Sequence, residues 1–254
     1  TLDPHLFTEM IAVQVDSSIY EGLLRLDEKG NYTGGVAESF KESGNKLTFK
    51  LRDNAKWSNG EKIVANDFVF AFKRVLNPKT AAQFSEMLFP IKNAEKYYAG
   101  KVGADALGVK AIDDKTLEIE LEHPTAYFKY ILTLPISVPL NQKFYESREN
   151  KYAVKLGDFL FNGPYKIVKL QEDEILLEKN ENYWNAKNIR VPKIKYVISK
   201  DFKVVDDLIK NREIDMSRVE PYRLAEYKKN KVLDTYLNGR VWYLDYNLGN
   251  KYLQ

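Results

Sequence analysis

Residues 47–52, Leu-Thr-Phe-Lys-Leu-Arg, alternate apolar and polar side chains without a miss. Leu47, Phe49 and Leu51 fall on one side and Thr48, Lys50 and Arg52 on the other, which is the pattern of a half-buried strand. The run WSNG at 57–60 follows, and its Asn-Gly pair favours a tight turn because glycine accepts positive φ at little cost. From Asn66, or the residue before it, a helix is expected: Asp67 suits the first turn and Phe68, Phe72, Val75 and Leu76 recur at helical spacing. The Asn-Pro pair at 77–78 ends it. A strand, a turn and a helix are thus fixed within about 30 residues, and the rest of the chain must cover their apolar faces.

The same reading places a hairpin at 108–122, where VKAI and TLEIELE flank Asp113 and Asp114, and another at 164–179, where PYKIVKL and EILLEK are joined by QED. Beyond 193 the rhythm changes. A strand KIKYVIS, a helix FKVVDDLIKN, a short strand EIDM, a helix in PYRLAEYKKN and strands at VLDTYL and VWYLDYN are expected, and strands alternating with helices point to βαβ units. The organisation is an antiparallel, aromatic-rich first half and an α/β second half, changing between about 141 and 163, with no internal repeat of fixed period.

Composition narrows the functional classes. Charge is nearly balanced, 39 Lys plus Arg against 36 Asp plus Glu, and no block of five or six like charges occurs, so nucleic acid is not an expected partner. The absence of Cys removes thiol catalysis, disulfides, Cys-bearing zinc sites and iron–sulfur ligation. The longest uncharged stretch, Tyr130 to Gln142, holds two prolines and is too short to span a bilayer. The chain opens on Thr1 without a start methionine or a signal-like segment and stops at Gln254 directly after a strand-like run, so both ends are expected to be cut.

No catalytic constellation is legible. His5 and His123, the two histidines, sit beside prolines in turn-like contexts, where surface or packing roles outweigh a metal site or a general base. The pairs Asp113/Asp114 and Asp206/Asp207 are adjacent in sequence, so their carboxylates point to different faces and do not converge on one substrate. No nucleophile elbow, S-x-x-K, dinucleotide fingerprint or P-loop occurs. An enzyme is not expected, and no metal or cofactor is implied. Aromatic residues make up 13% of the chain, most of them expected in cores. The cluster Tyr236, Trp242, Tyr243 and Tyr246 is denser than a core strand needs; alternation puts Trp242 and Tyr246 on one face and Tyr243 on the other, so a ligand-contacting strand rivals core packing there.

Taken in order, LDPH (2–5), IYEGLL (19–24), VAESF (36–40), the long block 47–78, ALGVKAIDDKTLEIELEHPTAYF (106–128), NGPYKIVKL (162–170), LEKNENYWNAKN (177–188) and REIDM (212–216) resemble the family-5 extracellular solute-binding proteins of ABC importers, oligopeptide-binding group. The resemblance covers the whole chain, and the block 36–78 is its most specific part. It implies a mixed α/β fold: the first lobe of a periplasmic-binding-protein type II architecture, whose two lobes close over a ligand, carrying an inserted β-rich domain. The α/β part is expected over 1–20 and 142–236, the inserted domain over 21–141, and a crossover strand toward a second lobe over 237–254. Family members are about twice as long, which reads this chain as a truncated first lobe.

The resemblance also implies the function of capturing extracellular oligopeptides. A carrier of many peptides cannot depend on side-chain fit, so it is expected to bind the ligand main chain by strand addition. Carried over by position, the edge that meets the peptide is Thr8, Glu9 and Met10; Phe84 is an aromatic contact from the inserted domain; Val219, Tyr236 and Tyr243 lie near the hinge, with Trp242 joining them from the aromatic cluster. Phe at 84 and Val at 219 depart from the enteric pattern of Tyr and a polar residue, which leaves ligand length and polarity open. The implied partners are a peptide and an ABC permease, the implied location extracytoplasmic, periplasmic or lipid-anchored. Without the other lobe's share of contacts, on the order of 5 kcal/mol, weak peptide binding is expected. Self-association through the strand at 241–247 is expected as well. The same fold serving another solute (nickel chelate, haem, oligosaccharide), or a regulator or adhesin, stays open.

Overall fold

The computed structural model describes residues 2–8, 10–148 and 151–235. They fall into two compact units, 1–198 and 199–254. In the first unit the chain forms α1 (Met10–Ile19), β1 (Leu24–Leu26), β2 (Tyr32–Gly34), β3 (Ala37–Ser43), β4 (Lys46–Leu51), α2 (Ala65–Leu76), α3 (Ala94–Tyr98), β5 (Val109–Asp113), β6 (Thr116–Glu120), α4 (Phe128–Ile131) and α5 (Gln142–Ser147), then β7 (Tyr165–Leu170), β8 (Glu174–Lys179) and β9 (Lys193–Val197).

A four-stranded antiparallel sheet, in the order β3-β4-β6-β5, organises the first core. The alternation read at 47–52 is realised: Leu47, Phe49 and Leu51 are buried while Lys50 is exposed, and Phe49 lies opposite Leu117 of β6. The apolar stripe of α2, with Phe68, Phe72, Val75 and Leu76 fully buried, packs against β5 and β6. Its start is fixed by the buried Asp67, whose carboxylate accepts from the Val64 amide and from Trp57 Nε1, each at 3.1 Å. Its end falls at Asn77, held extended because Pro78 follows.

A second core gathers Val15, Ile19 and Tyr20 at the end of α1 with Val138, Leu140, Phe159, Phe161, Ile167, Ile175 and Leu177. Its sheet is the antiparallel meander β7-β8-β9, in which β7 and β8 occupy the positions read for the 164–179 hairpin. The NGP run at 162–164 welds α1 to this sheet. Buried Asn162 bonds the backbone of Glu21 on both sides, accepting from its amide at 3.1 Å and donating to its carbonyl at 2.7 Å. The Gly163 amide reaches the Ile19 carbonyl at 2.9 Å, so close that a Cβ on residue 163 would lie 2.5–2.8 Å from Ile19 and Tyr20 backbone atoms.

In the second unit, α6 (Phe202–Lys210) begins at Asp201, whose side chain caps the Lys203 amide at 2.8 Å, and α7 (Leu224–Lys229) follows a short 3₁₀ turn. Asp206 gathers Lys210, Arg223 and the Tyr227 hydroxyl around one carboxylate. The parallel βαβ units expected beyond 193 do not form among the described residues. β9 pairs antiparallel with β8, and residues 213–216 are irregular, with no strand partner among the described residues. The strand expected at 232–237 is irregular over 232–235; its end and the strand at 241–247 lie outside the described residues.

Candidate functional site

The segment 2–8 precedes α1 and is anchored by chemistry that its short LDPH motif does not advertise. Asp3 and Arg74 of α2 form a two-point ion pair, Nη1 to Oδ1 at 3.0 Å and Nη2 to Oδ2 at 2.6 Å, with side chains 4% and 8% exposed. His5 is buried against the same guanidinium, with Nδ1 2.9 Å from Arg74 Nη1 and Nε2 3.2 Å from the Val138 carbonyl. Arginine can only donate, so Nδ1 accepts and the ring proton rests on Nε2, which donates to Val138. Burial, and then the neighbouring guanidinium, lower the His5 pKa to about 4. The imidazole is therefore a neutral strut, with no free nitrogen for a metal or a proton transfer.

With its base fixed, the segment presents Phe7 and Thr8. The Phe7 ring stacks on Phe84, centroids 5.1 Å apart and planes 24° from parallel, and both rings are half-buried against the first core. Thr8 is exposed and lines an apolar recess of about 260 Å³ between α1, the 153–159 segment and the turn from β7 to β8, together with Ala12, Val15, Phe159 and Ile175. Two of the residues expected to meet a ligand are thereby linked through Phe7, which adjoins Thr8 in the chain and stacks on Phe84.

The remaining expected residues are placed differently. Met10 opens α1, so at the last of the three positions expected over 8–10 the chain is helical and not a strand edge. Glu9, Tyr236, Trp242 and Tyr243 lie outside the described residues. Val219 is half-buried in the second unit, in the irregular stretch before the 3₁₀ turn.

A second polar knot lies where α1 leads into β1. Glu21 is buried and accepts from the Tyr183 hydroxyl at 2.6 Å and from Trp184 Nε1 at 2.5 Å. Arg52 and Arg25 lie over the Trp184 ring, their guanidinium carbons 3.7 and 5.3 Å from its centroid. Burial raises the Glu21 pKa while the two donors and the arginines oppose that shift. Every oxygen here is engaged, so the knot is a fastening.

Phe7, Asp3, Arg74 and Asp16 were not singled out by sequence reasoning. The available signal was an acidic residue in LDPH and an arginine on the otherwise apolar side of α2, but pairing across 71 positions is invisible without the fold. Among the described residues no group of three or more His, Cys, Asp or Glu side chains could hold a metal ion, and no helix is long and apolar enough to cross a membrane.

The profile described as bacterial extracellular solute-binding proteins, family 5 (Middle) matches residues 31–254. The chain is 29% identical to the dipeptide-binding protein of Lactococcus lactis subsp. cremoris over 99% of its own length and 47% of that protein's. Among solved structures it resembles the substrate-binding domain of an oligopeptide ABC transporter from Bacillus anthracis, with TM-score 0.87 and 39% identity over 91% of this chain and 45% of that one. It also resembles Listeria monocytogenes OppA bound to peptide, with TM-score 0.86 and 33% identity over 91% and 46%. The chain spans about half the length of the relatives it matches. The mixed α/β fold is that of these substrate-binding domains, and on the extent of the profile match the chain belongs to the bacterial extracellular solute-binding proteins, family 5.

Proposed function

We propose that this chain carries part of the peptide-capturing surface of an ABC importer's solute-binding protein. The observation that carries the reading is exposed Thr8 adjoining, in the chain, the Phe7 that stacks on Phe84, on a segment locked by the buried Asp3–Arg74 pair. A rigidly held stretch of main chain beside an aromatic shelf suits a ligand recognised by backbone hydrogen bonds and tolerant apolar contact. The names of the relatives, dipeptide- and oligopeptide-binding proteins, favour the same class. In this reading residues 21–141 with the first core form an inserted β-rich domain, 1–20 and 142–236 the α/β part of a lobe, and 237–254 a crossover. The protein acts outside the cytoplasm, periplasmic or lipid-anchored, with a membrane permease as partner and no catalytic step.

The experiment is calorimetric titration of a mixed tri- to pentapeptide library into the protein extended by its natural downstream sequence, beside the 254 residues alone. The longer protein should bind in the micromolar range, and Phe84→Ala should weaken it about tenfold, the loss of one good aromatic contact. The isolated chain should bind more weakly than millimolar. Retention of a metal chelate or sugar in place of peptide by the longer protein would overturn the peptide reading.

A further inference from the structure

Asp16 on α1 is fully buried, and neither of its carboxyl oxygens has a hydrogen-bond partner among the described residues. An ionised carboxylate in that state would lose its hydration with nothing in return, whereas a protonated one is far less costly to bury. On balance the surroundings push the same way. The titratable groups acting on or beside Asp16 are Asp3 from the 2–8 segment, Tyr20 just past its own helix, Tyr152 from the segment after α5, and the chain's amino group, which alone among them favours the ionised form. The two tyrosine hydroxyls bond each other at 3.1 Å. The guanidinium of Arg74 on α2 is committed to Asp3 and His5. Asp16 thus meets a second carboxylate, whose influence together with burial outweighs the opposing pull of the chain's amino terminus.

We propose that Asp16 holds a proton in the folded protein and acts as a latch beneath the 2–8 segment: protonated, it lets the Asp3–Arg74 clasp close over α1, and ionised, it sets a second negative charge beside Asp3 and releases the segment. Burial, reinforced by Asp3, raises the Asp16 pKa to about 8, so release falls on the mildly alkaline side. Because that segment carries Phe7 and Thr8, its release unseats the stack on Phe84 and the wall of the apolar recess.

The sign follows from proton counting. Between about pH 4 and about pH 8 the folded protein holds a proton on Asp16 that the unfolded chain has lost, so stability falls as pH rises through that window and levels above it. The test compares wild type with Asp16→Asn, a neutral side chain of the same shape, in denaturant titrations from about pH 4 to about pH 9. The unfolding constant of wild type relative to the variant should rise by up to about tenfold per pH unit and then flatten near pH 8; titration of His5 enters both proteins and cancels. Exchange protection of the His5 and Leu6 amides, which bond the Asp3 side chain and carbonyl, should drop above that pH in wild type only, after correction for intrinsic rates. A ratio independent of pH would overturn the proposal. So would a carboxyl carbon resonance of Asp16 that titrates in the ordinary carboxylate range, a measurement on wild type that stands even if the variant fails to fold.

Discussion

Arg74 and Asp3, 71 positions apart, meet through two hydrogen bonds of 2.6 and 3.0 Å in a site where both side chains are nearly excluded from water. The pair joins the N-terminal segment to α2, the helix read from the 47–78 block. Removing one partner strands a buried charge. Arg74→Met should therefore cost about 3–5 kcal/mol of unfolding free energy, and Asp3→Asn a comparable amount. The double variant should lose clearly less than the sum, because neither charge is then left alone. Denaturant titration of the four proteins measures this directly; additive losses would show that the two residues act separately.

His5 supplies a pH dependence of opposite sign to that of Asp16. Its folded pKa of about 4 lies below the ordinary 6.5, so the unfolded chain binds a proton that the folded protein refuses in between. Stability from this group is present above about pH 6.5 and is lost as pH falls toward 4, by about 3 kcal/mol if the full difference is expressed. His5→Gln should remove that acid slope from the melting temperature while leaving the behaviour above pH 7 unchanged. An acid slope identical in the variant would assign it to other groups.

Gly163 shows the cost of a single methyl group. Its substitution by alanine would place a Cβ 2.5 Å from the Ile19 carbonyl carbon and 2.6 Å from the Tyr20 nitrogen, both backbone atoms with no side-chain freedom to yield. The strand β7 would have to back away from α1, at about 1–3 kcal/mol. Loss of protection at the Gly163 amide, which bonds Ile19, should accompany the lower denaturation midpoint.

Phe84→Ala tests the aromatic shelf as structure, apart from any ligand. Phe84 is half-buried and stacked on Phe7, so the loss should be about 1–3 kcal/mol, below that of a fully buried phenylalanine. Phe84→Tyr, which keeps the ring, should cost less than about 0.5 kcal/mol. A tyrosine variant as damaged as the alanine one would place the ring edge in a tighter site than the stack indicates.

Much of the architecture is legible in the chain. The alternation at 47–52 sets one strand's buried face, the spacing of Phe68, Phe72, Val75 and Leu76 sets the helix that covers it, and the hairpins at 108–122 and 164–179 form where their turn residues put them. These are local signals, carried by side-chain periodicity and by what Gly, Asn and Pro do to the backbone. Where local signals were followed past their support, as in the short strand at 213–216, the expected element did not form, since a strand needs a neighbour and sequence does not say whether one is present.

The candidate site was legible only in part. Resemblance pointed to Thr8 and Phe84, but the residue that joins them, Phe7, and the ion pair that holds their segment, Asp3 with Arg74, carry no periodicity or spacing that would expose them. His5 reads in sequence as a surface or packing residue and is in the fold a buried, neutral strut. Asp16 reads as one polar position on a helix and is in the fold an unpaired buried carboxyl. Sequence by itself determined where strands, turns and the main helix lie, because those depend on neighbours a few residues away. Tertiary structure alone decided which charges are paired, which proton is held and which ring stacks on which, because those energies arise only when water is excluded and distant residues are brought within a hydrogen bond of each other.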